Sequence, residues 1–164
     1  MGTADKGWRM DSDLPERLET WISIELGIAG IYHAFSRMFA EAEGFWADLA
    51  RQEENHATIL IVGKRYIQGG QLPQGMVPAS LPHMKSTLQL IEAFRKEIAV
   101  GRVSPERAQQ MGLALEETIE EGYLLEVMTG KTDSEIISRL QRLLLDTRSH
   151  VLRIRTFVEK GGYP

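Results

Sequence analysis

Cysteine is absent from the 164 residues. Its absence excludes disulfides, iron–sulfur clusters and thiolate-bound zinc, and it fits a reducing, cytoplasmic setting. Long hydrophobic runs are missing too. No stretch approaches the ~18–20 apolar residues of a membrane-spanning helix, so no membrane partner is expected. The first residues carry no charged-then-apolar secretory pattern. Charge of one sign is not in excess: 19 basic and 23 acidic residues leave a formal net charge of −4. No basic stripe favours nucleic acid. Strand signals are scarce, with no period-2 run bounded by hairpin residues. The expectation is one all-α domain over residues 13–164, preceded by a polar leader at 1–12, and long enough for a sizeable core.

Helical periodicity fills the space these absences leave. Asp13-Leu-Pro-Glu16 reads as a helix start, with Asp as cap, Pro in the first turn and Glu facing the dipole. The first helix is predicted to run to about Ala40, with a seam of Leu18, Trp21, Glu25, Ile28, Tyr32, Phe35 and Phe39. A second helix spans 43–68 and stops at Gly69-Gly70; its seam is Trp46, Leu49, Glu53, His56, Leu60, Gly63 and Ile67. A Pro- and Gly-rich loop follows over 71–82, then a short helix capped by Ser86 over 87–100. Ser104-Pro105-Glu106 opens a third long helix ending near Gly130, with Gly112, Glu116, Ile119 and Tyr123 on its seam. Thr132-Asp-Ser-Glu135 has capping-box spacing and opens the fourth, whose seam is Ile136, Leu140, Leu143, Thr147, His150, Ile154 and Phe157, with Gly161-Gly162 closing it. Two antiparallel hairpins joined by one long crossover make a ferritin-like four-helix bundle with a short extra helix.

Polar groups interrupt all four seams at comparable depth: Glu25, Glu53 with His56, Glu116, and His150. Carboxylates and imidazoles on a core face are costly to desolvate unless something holds them. The Glu-x-x-His spacing of Glu53 and His56 points an oxygen and a nitrogen at one spot, as a metal site requires. Tyr32 and Tyr123 each lie seven residues after a seam glutamate, hence on its face; both are expected to be core aromatics with a hydroxyl near the site. Trp21, Trp46, Phe35 and Phe39 read as core. His33 and His83 lack supporting spacing and read as surface or loop residues. The run Glu116, Glu117, Glu120, Glu121 is mainly a solvated face, with Glu116 its inward member.

The chain resembles the rubrerythrin branch of the ferritin-like superfamily over residues 14–160. The resemblance rests on Glu25-Leu-Gly-Ile-Ala-Gly-Ile-Tyr32, Glu53-Glu-Asn-His56, Glu116-Glu-Thr-Ile-Glu-Glu-Gly-Tyr123 and Thr147-Arg-Ser-His150. It implies metal ligation by Glu25, Glu53, His56, Glu116 and His150. It further implies a non-haem di-iron oxidoreductase reacting with hydrogen peroxide or dioxygen and drawing electrons from an external donor. Two departures stand out. Thr147 replaces the glutamate expected three residues before His150, with Asp146 beside it. Ile119 sits where the family carries a further glutamate, with Glu120 next to it. The cysteine-free chain also lacks the rubredoxin module.

Three functions therefore stay open at this stage: a di-iron peroxidase or oxidase; a metal-binding or storage-type protein holding one iron, zinc or manganese without turnover; and a metal-free helical interaction module. A homodimer is a further expectation, with residues 71–84 as its docking surface.

Overall fold

The computed structural model describes residues 13–69, 80–122 and 135–159; the side chains at 119–122, 136–137, 140–141, 143–148 and 158 lie outside that description. Among the described residues five α-helices follow one another: α1 (Leu14–Met38), α2 (Glu43–Gln68), α3 (Leu81–Ala99), α4 (Pro105–Gly122) and α5 (Glu135–Glu159). A 3-10 turn, Ala40–Ala42, links α1 to α2. No strand occurs among the described residues, as the absence of period-2 runs requires. None of the described helices is long and apolar enough to cross a membrane.

The short link makes α1 and α2 an antiparallel hairpin, and this pair forms the largest helix–helix contact. α1 also packs on α3 and touches α4, while α5 packs on α4 and α2. Flanked on several sides, α1 buries residues around most of its circumference, including Leu18, Trp21, Ile28, Ile31, Tyr32 and Phe35. Aromatic rings lock the hairpin to α5. Trp46 lies 5.0 Å from Phe35 and 5.4 Å from Tyr32, and Phe45 stacks on Phe157 at 4.1 Å. Such pairs add about 0.5–1.5 kcal/mol each beyond their buried area. Gly112 lets α4 come close: a Cβ there would meet Ile154 at 3.2 Å and the Trp46 ring at 3.3 Å.

Helix boundaries depart from the sequence reading in three places. The connecting helix is not a short one over 87–100; it starts six residues earlier, at Leu81, and runs for 19 residues. Ser80, not Ser86, is the cap: its hydroxyl accepts from His83 N at 3.2 Å, and Pro82 occupies the first turn. Ser86 sits inside the helix and donates back to the Pro82 carbonyl. The added turn lets Met84, Thr87, Ile91 and Phe94 bury one face, with Ile91 against Gly27 of α1. The first helix ends at Met38, where Phe39 N closes on Phe35 O, rather than at Ala40. Asp13 holds the N-cap position of α1, but its side chain makes no capping hydrogen bond.

The predicted start at Pro105 agrees with α4, and the described part of α5 begins at Glu135, the last residue of the predicted capping box. Ser104 caps α4 by accepting from Arg107 N at 3.2 Å. Tyr123, the capping-box residues 132–134 and the predicted helix ends near 130 and 161 fall outside the described residues.

Candidate metal centre

Five side chains from four helices meet in the interior. α1 brings Glu25, α2 brings Glu53 and His56, α4 brings Glu116 and α5 brings His150. None exposes more than 2% of its surface. They form two triads, Glu25–Glu53–His56 and Glu53–Glu116–His150, each with its ligand-type atoms within 4.8 Å of one another. Glu53 belongs to both. Its Oε2 lies 3.1 Å from His56 Nδ1, and its Oε1 lies 2.7 Å from His150 Nδ1. The outer carboxylates complete the pattern: Glu25 Oε2 is 3.6 Å from His56 Nδ1, and Glu116 Oε1 is 3.5 Å from His150 Nδ1. Both imidazoles therefore turn Nδ1 towards the shared carboxylate, with their rings stacked 5.5 Å apart.

Further groups hold these side chains in place. Trp21 Nε1 donates to Glu25 Oε1 at 2.7 Å. The Tyr32 hydroxyl donates to Glu116 Oε1, also at 2.7 Å. His150 Nε2 lies 2.9 Å from Gln52 Oε1, while Gln52 Nε2 donates to Asp48 Oδ2 at 2.7 Å. Because the amide nitrogen is committed to Asp48, the amide oxygen faces His150 and accepts its Nε2–H. That leaves His150 Nδ1 as the atom aimed at the carboxylates. Arg153 of α5 anchors the chain by donating to Asp48 at 2.7 Å.

The arrangement contains acceptors that nothing among the described residues satisfies. Glu25 Oε2, Glu53 Oε1, Glu116 Oε2 and His150 Nδ1 are buried without a hydrogen-bond partner. The 2.7 Å approach of Glu53 to His150 brings the two atoms together without hydrogen-bond geometry. Among the described residues no lysine or arginine pairs with any of the three glutamates. Buried acceptors converging without a donor are costly, and a cation placed among them removes that cost. The donor set, three carboxylates and two imidazoles, suits a divalent first-row metal. The two clusters can thus hold metal ions.

Without a cation the cluster retains protons instead. Burial, reinforced by the neighbouring Glu53 carboxylate, pushes Glu25 up to about 8. Burial and Glu53 likewise raise Glu116. Burial works against the imidazolium forms, but Glu25 and Glu53 outweigh it and lift His56 to about 11; Glu116 and Glu53 lift His150 to about 9. Glu53 moves the other way. Burial opposes its ionised form, yet the imidazoles of His150 and His56 beside it hold it well below the usual carboxylate range. A metal that binds here must displace protons.

The five residues named from the sequence are thus brought together. Tyr32 is fully buried with its hydroxyl on the cluster. Trp21, read as core alone, also carries a hydrogen bond to Glu25; its spacing four residues before Glu25 was the available signal. Gln52, Asp48 and Arg153 had no signal, because their link to His150 exists only once α2 and α5 pack. His83 is neither a surface nor a loop residue. It lies half-buried in the first turn of α3 with Nε2 2.8 Å from the Thr118 carbonyl, tying α3 to α4. His33 is half-buried and pairs with Glu54 at 2.9 Å. The side chains of Ile119, Glu120, Asp146 and Thr147 lie outside the description.

Comparison with known proteins finds no matching family model, no matching curated protein and no matching solved structure.

Proposed function

We propose that the chain is a rubrerythrin-type member of the ferritin-like proteins, binding two iron ions and reducing hydrogen peroxide or dioxygen with electrons from an external donor. In this reading α1, α2, α4 and α5 are the four bundle helices, and α3 rides on the crossover. The observation that carries the reading is the position of Glu53, one carboxylate shared by two buried triads that each add one glutamate and one histidine. Glu25 and His56 would hold one ion, Glu116 and His150 the other, with Glu53 between them. Iron bound there supplies one-electron redox chemistry towards a peroxide or dioxygen substrate. The chain's own contribution is to fix the ligands: Trp21 orients Glu25, Tyr32 orients Glu116 and Gln52 orients His150.

A second reading is metal binding without turnover, and the charge balance sets it level with the first. Three ionised carboxylates supply −3. One divalent ion leaves a buried −1 and two leave +1, so the described ligands neutralise neither state. Zinc, manganese or a single iron fit this alternative. A metal-free interaction module accounts least well for the unsatisfied acceptors.

Metal analysis of protein purified without added metal, followed by anaerobic ferrous loading and peroxide addition, tests all three. The di-iron reading expects two ions per chain and ferric absorption after peroxide, both lost in Glu53→Ala. One tightly held ion with no peroxide response supports the second reading. No bound metal, with a melting temperature insensitive to chelator, removes the first two, because a ligand bound only to the folded state must raise stability.

A further inference from the structure

α2 and α5 leave a groove of about 500 Å³ beside the buried cluster. Small-molecule sites span ~300–1,000 Å³. On α2 the groove is lined by Gln52, Asn55 and His56, spaced so that they share one helix face. On α5 it is lined by Glu135, Ser138, Arg139 and Arg142, again one face. Ile59 is the one aliphatic side chain among the described lining residues, and Gln52, Asn55, Ser138, Arg139 and Arg142 offer polar groups beside it.

The balance of charge sets its sign. Among the described lining residues two guanidinium groups stand against the single carboxylate of Glu135. That carboxylate takes one nitrogen of Arg139, Nη2 at 2.7 Å. A guanidinium carries five N–H donors, so most of Arg139 is left to face a ligand. Arg142 is exposed and makes no ion pair among the described residues. Ser138 and Asn55 add a hydroxyl and an amide. Planar donor forks with neutral donors beside them match the oxygens of a carboxylate or a phosphate.

We propose that this groove binds a small oxyanion, of carboxylate or phosphate type, on Arg139 and Arg142. The occupant lies against His56, so the site adjoins the candidate metal centre without using its ligating atoms. Binding does not require metal, and the proposal stands apart from the di-iron reading.

The test uses the full chain, metal-free, at neutral pH. Inorganic phosphate and, separately, acetate are titrated while backbone amide resonances are followed by NMR. Saturable shifts are expected, centred on residues 52–59 and 138–142. The Arg139→Ala/Arg142→Ala double variant should weaken the preferred anion at least tenfold. Lys96→Ala, an exposed cation on α3, should leave it within twofold. Asn55→Trp, which fills the groove without changing charge, should abolish the response while helicity by circular dichroism is retained. Saturation by phosphate alone or acetate alone identifies the oxyanion type. Shifts that never saturate, that spread over all surface cations, or that survive the double variant overturn the proposal. Metal content plays no part in these readouts, so the groove and the metal centre can fail independently.

Discussion

Replacing Gln52 by methionine keeps the length of the side chain and removes both of its hydrogen bonds. The bond to His150 is the costly loss. His150 is fully buried, and its Nε2–H would face a thioether instead of an amide oxygen 2.9 Å away. An orphaned buried donor costs about 1–3 kcal/mol. Asp48 is only half-buried and keeps Arg153, so its share is smaller, at most about 1 kcal/mol. The metal-free variant should therefore unfold about 1–3 kcal/mol more easily in urea. Metal binding should suffer separately. The amide holds the imidazole with Nδ1 towards Glu53 and Glu116, and loss of such an outer partner weakens metal affinity about 10–100-fold. Competition against a chelating indicator measures that term, and NMR of the imidazole reports whether the slowly exchanging Nε2–H signal disappears. Wild-type metal affinity in a folded Gln52→Met protein would refute the positioning role.

Other outcomes follow from the same structure. Stability of the metal-free chain should fall as pH rises from 7 to 9. Glu25 is raised to about 8 and His150 to about 9, so both bind protons more tightly folded than unfolded. The Glu25 contribution is complete below its unfolded value and lost as pH climbs through 8; that of His150 is complete below 6.5 and lost through 9. Urea midpoints that rise over this range would contradict the assignment. Metal affinity should change in the opposite sense, growing with pH because fewer protons need displacing, as indicator competition at several pH values would show. Gly112→Val should lower the thermal midpoint, costing about 1–3 kcal/mol, because its side chain meets Trp46 and Ile154. Ser80→Ala should cost about 1 kcal/mol of urea stability by removing the α3 cap, whereas Ser86→Ala should be nearly neutral.

Much of the molecule is legible in local sequence because its helices obey local rules. Ser104-Pro105 marks a helix start through backbone groups only a few residues away. The seam glutamates and histidines declare themselves because a charge on an apolar stripe has no local reason to be there. The misplacement of α3 has the same origin: two serines six residues apart both resemble caps, and only burial of Met84 beside Thr87, Ile91 and Phe94 selects Ser80.

Composition and periodicity alone determined that this chain is helical and that Glu25, Glu53, His56, Glu116 and His150 occupy core faces. Tertiary structure decided that Glu53 belongs to two triads, that Trp21, Tyr32 and Gln52 hold the outer atoms, and that a groove lined by Arg139 and Arg142 opens beside His56. Periodicity encodes the direction of a side chain about its own helix axis. It does not encode the distance or rotation between two helices, and the meeting of Gln52 with His150, 98 residues apart, depends on both.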